Sequence, residues 1–196
     1  MTRIRGFRAG DEGDLADICV RTADAGADAT GILADDRIWS EIFVLPYVAR
    51  HPELAFVVES DGRVLGYAVA APDTAAFEDW FHDDWWPVHG ARFERPGAGP
   101  RDVDVLAYAD ARRAGREPYA ADYPAHLHID LLPALQRDGW GRRLVGAVVD
   151  ALRERGVPGV HLVAPADNRG ALAFYDRLGL TRLDSRAGVQ AFGMRL

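Results

Sequence analysis

The chain has 196 residues, a formal net charge of −7, 48% hydrophobic residues and one cysteine, Cys19. That composition fits a single globular domain over residues 1–196 and excludes an internal disulfide or a cysteine-based zinc site. The acidic balance argues against a nonspecific nucleic-acid binder, and no run approaches the eighteen apolar residues of a membrane span. The start, Met1-Thr2-Arg3-Ile4-Arg5, lacks the apolar run of a signal peptide, so a cytoplasmic location is the default expectation. All 23 basic residues are arginine, so the protein offers no lysine of its own for modification.

In chain order, Ile4 to Phe7 reads as a short strand, and Asp11 to Ala23 as a helix that Asp11 or Asp14 can cap. A second helix runs from Asp36 to about Arg50, with Pro46 inside it as a kink or a split. Leu54–Glu59 and Val64–Ala70 flank Asp61-Gly62 and read as a hairpin. Residues 73 to 123 then break the rhythm as an insertion, with four aromatics from Trp80 to Trp86, a Pro96–Pro100 loop and a helix from Asp102 to Gly115. Ala125 to Leu132 is a strand. Trp140 to Arg155 is a helix with Leu144, Val148 and Leu152 on one stripe, stopped by Gly156 and Pro158. Val160–Val163 is a strand. Asn168–Leu178 is a helix capped near Asp167 or Asn168 and closed by Gly179. Leu183 and Val189–Met194 are closing strands.

The segment Gln136-Arg137-Asp138-Gly139-Trp140-Gly141-Arg142 lies directly between a strand and a helix. Two glycines let the backbone turn tightly and approach a ligand. The helix start offers free N–H groups and the positive end of its dipole. Arg137, Arg142 and Arg143 crowd that same end, where each positive charge costs roughly 0.3–1 kcal/mol, a placement that makes sense if a polyphosphate sits there. The segment is neither a dinucleotide fingerprint, since position 144 is leucine, nor a Walker loop.

Leu131-Leu132-Pro133-Ala134-Leu135-Gln136-Arg137-Asp138-Gly139-Trp140-Gly141-Arg142 resembles the acetyl-CoA loop of the GNAT superfamily of N-acyltransferases. Asn168, Ala171, Tyr175 and Gly179-Leu180 resemble that family's second motif at its spacing. The chain carries Leu131 and Leu180 where the family motifs have valine and phenylalanine. The resemblance implies a mixed α/β (α+β), mostly antiparallel central sheet flanked by helices, with a Trp-rich helical insertion before the fourth strand. It also implies an acetyl-CoA-dependent N-acetyltransferase with a small-molecule or peptide amine acceptor. The backbone of Ile129 to Leu131 would then pair with the pantetheine arm. Backbone N–H groups from Arg137 to Arg143, Asp138 and Trp140 among them, would hold the pyrophosphate beside Gln136. Asn168 would bond the pantetheine, and Tyr175 would protonate the departing thiolate. The family's open sheets often pair as dimers. The Trp-rich segment together with Tyr123–Ile129 is further similar to bacterial relatives of the acetyltransferase-like domain of O-GlcNAcases.

Tyr175 shares a helix face with Ala171, Leu172 and Leu178, so its ring should pack inward. On the strand Ala125–Leu131, alternation puts Leu127, Ile129 and Leu131 on one face and His126, His128 and Asp130 on the other. The polar stripe is either a hydrogen-bonded buried cluster or a site with tuned titrating groups. Asp130 and His128 are the candidate bases, with His161 a weaker third. They are one residue out of phase with the usual base position of the resembled family, a phase that a β-bulge would reset. The partner histidine of a metal site is missing after Asp130, so no metal is expected. Trp80, Trp85 and Trp86 are candidate acceptor-binding residues, or the core of the insertion itself. The rival readings are an inactive acetyl-CoA-binding or ligand-sensing module, a metal-dependent hydrolase and a protein–protein scaffold.

Overall fold

The structure, a computed structural model, describes residues 1–93, 99–116, 118–136 and 138–196. Among these residues seven strands form one sheet in the order β1-β2-β3-β4-β5-β7-β6. They are β1 (Arg3–Gly6), β2 (Ala55–Ser60), β3 (Arg63–Ala71), β4 (Ala125–Leu131), β5 (Gly159–Pro165), β6 (Thr181–Arg182) and β7 (Val189–Arg195). Every neighbouring pair is antiparallel except β4–β5. The hairpin turn is the expected Asp61-Gly62, with φ of 50° and 80°, the pair of left-handed residues that matches the strand twist.

Among the described residues eight α-helices flank the sheet: α1 (Glu12–Val20), α2 (Arg37–Phe43), α3 (Leu45–Arg50), α4 (Thr74–Trp80), α5 (Trp86–His89), α6 (Pro100–Asp110), α7 (Trp140–Glu154) and α8 (Arg169–Leu178). One core cluster joins α1, α2, α3 and the 74–109 helices to Val57, Tyr67, Val69 and Ala71; the other joins α7 and α8 to Ala68, Ala70, Leu127, Leu162 and Phe192. The buried stripe of α7 holds Leu144, Val145, Val148, Val149 and Leu152, as its period requires.

Several expected boundaries and caps change, most of them because a partner on another part of the chain takes the bond. The helix expected over residues 36–50 is two helices that break at Val44. Pro46 has no N–H for the carbonyl of Ile42 and its ring clashes there, and that carbonyl accepts instead from Nη1 of the buried Arg112, 2.9 Å away. The helix expected from Asp102 starts two residues earlier, with Pro100 in its first turn, and ends at Asp110, beyond which Arg112 turns inward. Asp11 occupies the N-cap position of α1 but makes no cap bond. Its carboxylate is drawn to the guanidinium of Arg5 at 2.6 and 2.9 Å, and Asp14 accepts from the Val64 N–H rather than capping. Of the expected Pro96–Pro100 loop, residues 96–98 lie outside the described residues.

Candidate functional site

β4 and β5 pair only at Ala125–Val160 and His126–His161. Beyond those residues the two strands part. Leu127 to Leu131 are then paired on the β3 side alone, in an unbroken register from Ala71–His126 to Gly66–Leu131. A strand with one free edge offers N–H and C=O groups to an extended ligand. The unpaired stretch of β4 beside β5 is therefore a slot for an arm that can act as an added strand. No bulge falls between β3 and β4; the register shift in this half of the sheet lies between β2 and β3, at Val58/Glu59. The phase of the polar stripe is therefore not reset, and His126, His128 and Asp130 remain on the face opposite α7.

The start of α7 stands at the open end of this slot. Gly139 is left-handed at φ 77°, and α7 has neither a side-chain cap nor an acidic residue in its first turn. Among the described residues its first backbone bond is Arg143 N–H to Gly139 C=O, 3.2 Å, so the donors before it face outward with the positive end of the dipole. Gln136 Nε2 donates to the Leu131 carbonyl (3.1 Å) and ties the loop to the end of β4. A Cβ on Gly141 would lie 3.0 Å from Phe174 and 3.1 Å from Leu131; its absence lets β4, α7 and α8 close together. The arginines are held more tightly than the sequence suggests. Arg142 donates to the Arg177 carbonyl of α8 at 3.2 Å, and Arg143 lies over the Trp140 ring at 4.7 Å. Asp138 is exposed, and Arg137 lies outside the described residues.

α8 brings in the second motif. Asn168 caps it through Oδ1, which accepts from Ala171 N–H at 3.0 Å, leaving Nδ2 as a donor beside the loop at Gly26. Gly179 closes the helix at φ 83°. Tyr175 is buried against Phe174 and Phe192. Its hydroxyl bonds to no described residue. Trp39 Nε1 is the only fully enclosed side-chain polar atom without a partner among the described residues, so the Tyr175 hydroxyl keeps a path to solvent. Burial, and then the negative charge of Asp130, push its pKa up.

Across the slot, Asp130 accepts from the Tyr67 hydroxyl, and burial raises its pKa against that bond. His126 and His128 share one partner, Tyr47. The Tyr47 hydroxyl lies 2.7 Å from Nε2 of His126 and 3.0 Å from Nε2 of His128. Thr74 lies 2.8 Å from Nδ1 of His126. Burial pushes the His126 pKa well below the ordinary histidine value, with His128 adding to it. Burial and then the Arg112 guanidinium push His128 down to about 3. His161 donates from Nδ1 to the Tyr123 carbonyl at 2.7 Å and is also lowered, mainly by burial. All three imidazoles are therefore neutral at pH 7. Among the described residues no group of three or more histidine, cysteine or acidic side chains is arranged to hold a metal ion.

The tryptophans turn inward. Trp86 is buried, stacked on Phe81, with Nε1 on Asp110 at 2.7 Å. Trp85 donates to the Glu41 carbonyl at 2.9 Å and stacks on His89. Trp80 lies under Arg50. Beyond the insertion's own rings, these contacts reach α2, α3 and α6. The residues that sequence reasoning missed are Tyr47, Tyr67, Thr74 and Arg112. They lie far in the chain from the groups they meet, and none has a spacing signature; only the fold brings Tyr47, Thr74 and Arg112 to the histidines and Tyr67 to Asp130. Among the described residues no helix is long and apolar enough to cross a membrane.

With this geometry in view, the comparisons agree. The model of the Acetyltransferase (GNAT) family matches residues 27–180. A solved structure, SsHAT, superposes with a TM-score of 0.93 at 38% identity, covering 99% of this chain and 98% of that one. The putative acetyltransferase yncA from Salmonella typhimurium, solved with acetyl-CoA, shares the fold at a TM-score of 0.59 and 16% identity, over 100% of this chain and 94% of that one. Protein O-GlcNAcase of Rattus norvegicus is 20% identical over 94% of this chain, and the chain spans 20% of that relative's length. The free edge of β4, the open helix start of α7 and the family match over 27–180 lead to one conclusion: the chain belongs to the GNAT acetyltransferase family.

Proposed function

We propose that the protein is an acetyl-CoA-dependent N-acetyltransferase that moves the acetyl group directly to an amine, of a small molecule or a peptide, in one ternary complex. The observation that carries this reading is the parting of β4 from β5 beside the uncapped start of α7. The edge backbone of Ile129 and Leu131, whose carbonyl at Leu131 already accepts from Gln136, takes the pantetheine arm as an added strand. The N–H groups of the 136–143 loop and first turn of α7 take the pyrophosphate. Nδ2 of Asn168 donates to the arm. Bound acetyl-CoA supplies an activated thioester. Tyr175 keeps its proton at Oη through neutral pH, since burial and Asp130 both raise its pKa, and gives it to the leaving sulfur. Asp130 and His128, on the neighbouring face of β4, are the candidate groups to accept, directly or through water, the proton the amine gives up as its N–C bond forms.

The test is amine-dependent release of the CoA thiol from acetyl-CoA by the purified protein, across a panel of primary amines, with the acetylated amine identified by mass. Release that requires both substrates supports the reading. Acetyl-CoA binding with no amine-dependent release would leave the binding-module alternative standing.

A further inference from the structure

The hydrogen-bond chain through Tyr47 has a direction. Thr74 Oγ1 lies 2.7 Å from the Pro124 carbonyl oxygen, and two oxygens that close need a proton between them. A carbonyl can only accept, so the Thr74 proton points at Pro124. Thr74 then has only lone pairs for His126, and Nδ1 of His126 must be the donor across 2.8 Å. A neutral imidazole carries one N–H, so Nε2 of His126 is bare and takes the Tyr47 proton across 2.7 Å. The Tyr47 oxygen is left as an acceptor for His128 at 3.0 Å and for Nη2 of Arg112 at 3.4 Å. The donor to it from His128 is Nε2–H, which leaves Nδ1 of His128 without a proton.

That nitrogen is the open end of the chain. His126 and His161 are buried, at 8% and 2% exposure, while His128 is only half-buried. Nδ1 of His128 bonds to no described residue and is not among the enclosed, unpartnered atoms, so it reaches open space. His128 shares a β4 face with Asp130, which is near enough to Tyr175 to act on its ionisation. We infer that Tyr47 is a positioning residue for the transfer: it fixes His128 in the tautomer whose bare Nδ1 meets the incoming amine as a hydrogen-bond acceptor. The chain ends on a backbone carbonyl that cannot pass a proton on, so it orients His128 and does not conduct. The charged and titratable groups around the pair are Arg112 with its partner Glu78, His161 and His51; Arg112 opposes any positive charge on these rings.

The inference rests on the proposed transfer, but its structural half can be read without turnover. In the full-length protein labelled with nitrogen-15, imidazole shifts at pH 7 should show His126 protonated at Nδ1 and His128 at Nε2, each as one tautomer. Tyr47→Phe, and independently Thr74→Val, should mix the tautomers of His128, and Thr74→Ser should restore them. Turnover by Tyr47→Phe should fall on the order of tenfold or more in kcat with the KM for acetyl-CoA unchanged. A proton on Nδ1 of His128 in the wild-type protein would overturn the inference, as would a tautomer and a kcat that Tyr47→Phe leaves unchanged. Fixed wild-type tautomers with no turnover on any amine would overturn the transfer, and with it the role of Tyr47 in it, while leaving the hydrogen-bond chain established.

Discussion

Gly139→Asp separates cofactor binding from folding. Gly139 sits at φ 77°, and a Cβ there would meet no described atom within 4 Å. The cost of the change is therefore mainly the left-handed backbone, roughly 1–2 kcal/mol for a residue with a side chain and less for aspartate. Against it, a carboxylate at the uncapped start of α7 gains about 0.3–1 kcal/mol from the helix dipole. The two nearly offset, so the free protein should melt within a few degrees of wild type. A pyrophosphate at the same N–H groups would face that carboxylate at close range. Thermal unfolding with acetyl-CoA at about a hundred times Kd should raise wild-type stability by about 2.7 kcal/mol. For a chain of this size that is about 5–11 °C in Tm. The variant should show almost none of this shift. A full shift in Gly139→Asp would refute the placement of the phosphates at α7. Loss of the fold without ligand would refute this near-offset.

Three further outcomes follow from the geometry. Tyr175→Phe should lower kcat at least about tenfold while acetyl-CoA still raises Tm as in wild type; unchanged turnover would remove the acid role. Gly90→Ala should destabilise by about 1–3 kcal/mol, read as a fall in Tm, because the new Cβ would lie 2.5 Å from the Trp86 ring that Phe81 and Asp110 hold in place; a Tm equal to wild type would show that ring to be loose. The histidine pKa values are depressed in the folded state, so the unfolded chain binds more protons in acid. The stability they contribute is complete above about pH 6.5 and is lost as pH falls toward the folded value, about 3 for His128, by up to about 1.4 kcal/mol per pH unit for each histidine. His128→Asn should flatten denaturant-derived stability between pH 6 and 5 by one histidine's share, and an unchanged slope would show that folding does not lower the His128 pKa.

The sequence by itself determined the elements whose cause is local. The Asp61-Gly62 turn, the α7 stripe, the Asn168 cap and the Gly179 stop each depend on a few neighbouring residues, and each stands where the pattern put it. The alternation of His126, His128 and Asp130 against Leu127, Ile129 and Leu131 also followed from strand geometry alone, and the unbroken β3–β4 register preserves it. The Gly139 turn and the start of α7 were legible because one short segment must make both. Tertiary structure decided the rest. It drew the Asp11 carboxylate from its helix to Arg5 and folded Arg142 onto the end of α8. It turned the Trp85 and Trp86 ring nitrogens onto Glu41 and Asp110. It also assembled the Thr74–His126–Tyr47–His128 chain from residues as far as 81 positions apart. The physical reason is the same in each case. A turn or a cap is set by backbone sterics within a few residues, whereas the partner of a charged or polar side chain is whichever complementary group the packed elements carry to within 3 Å, and no local spacing encodes that distance.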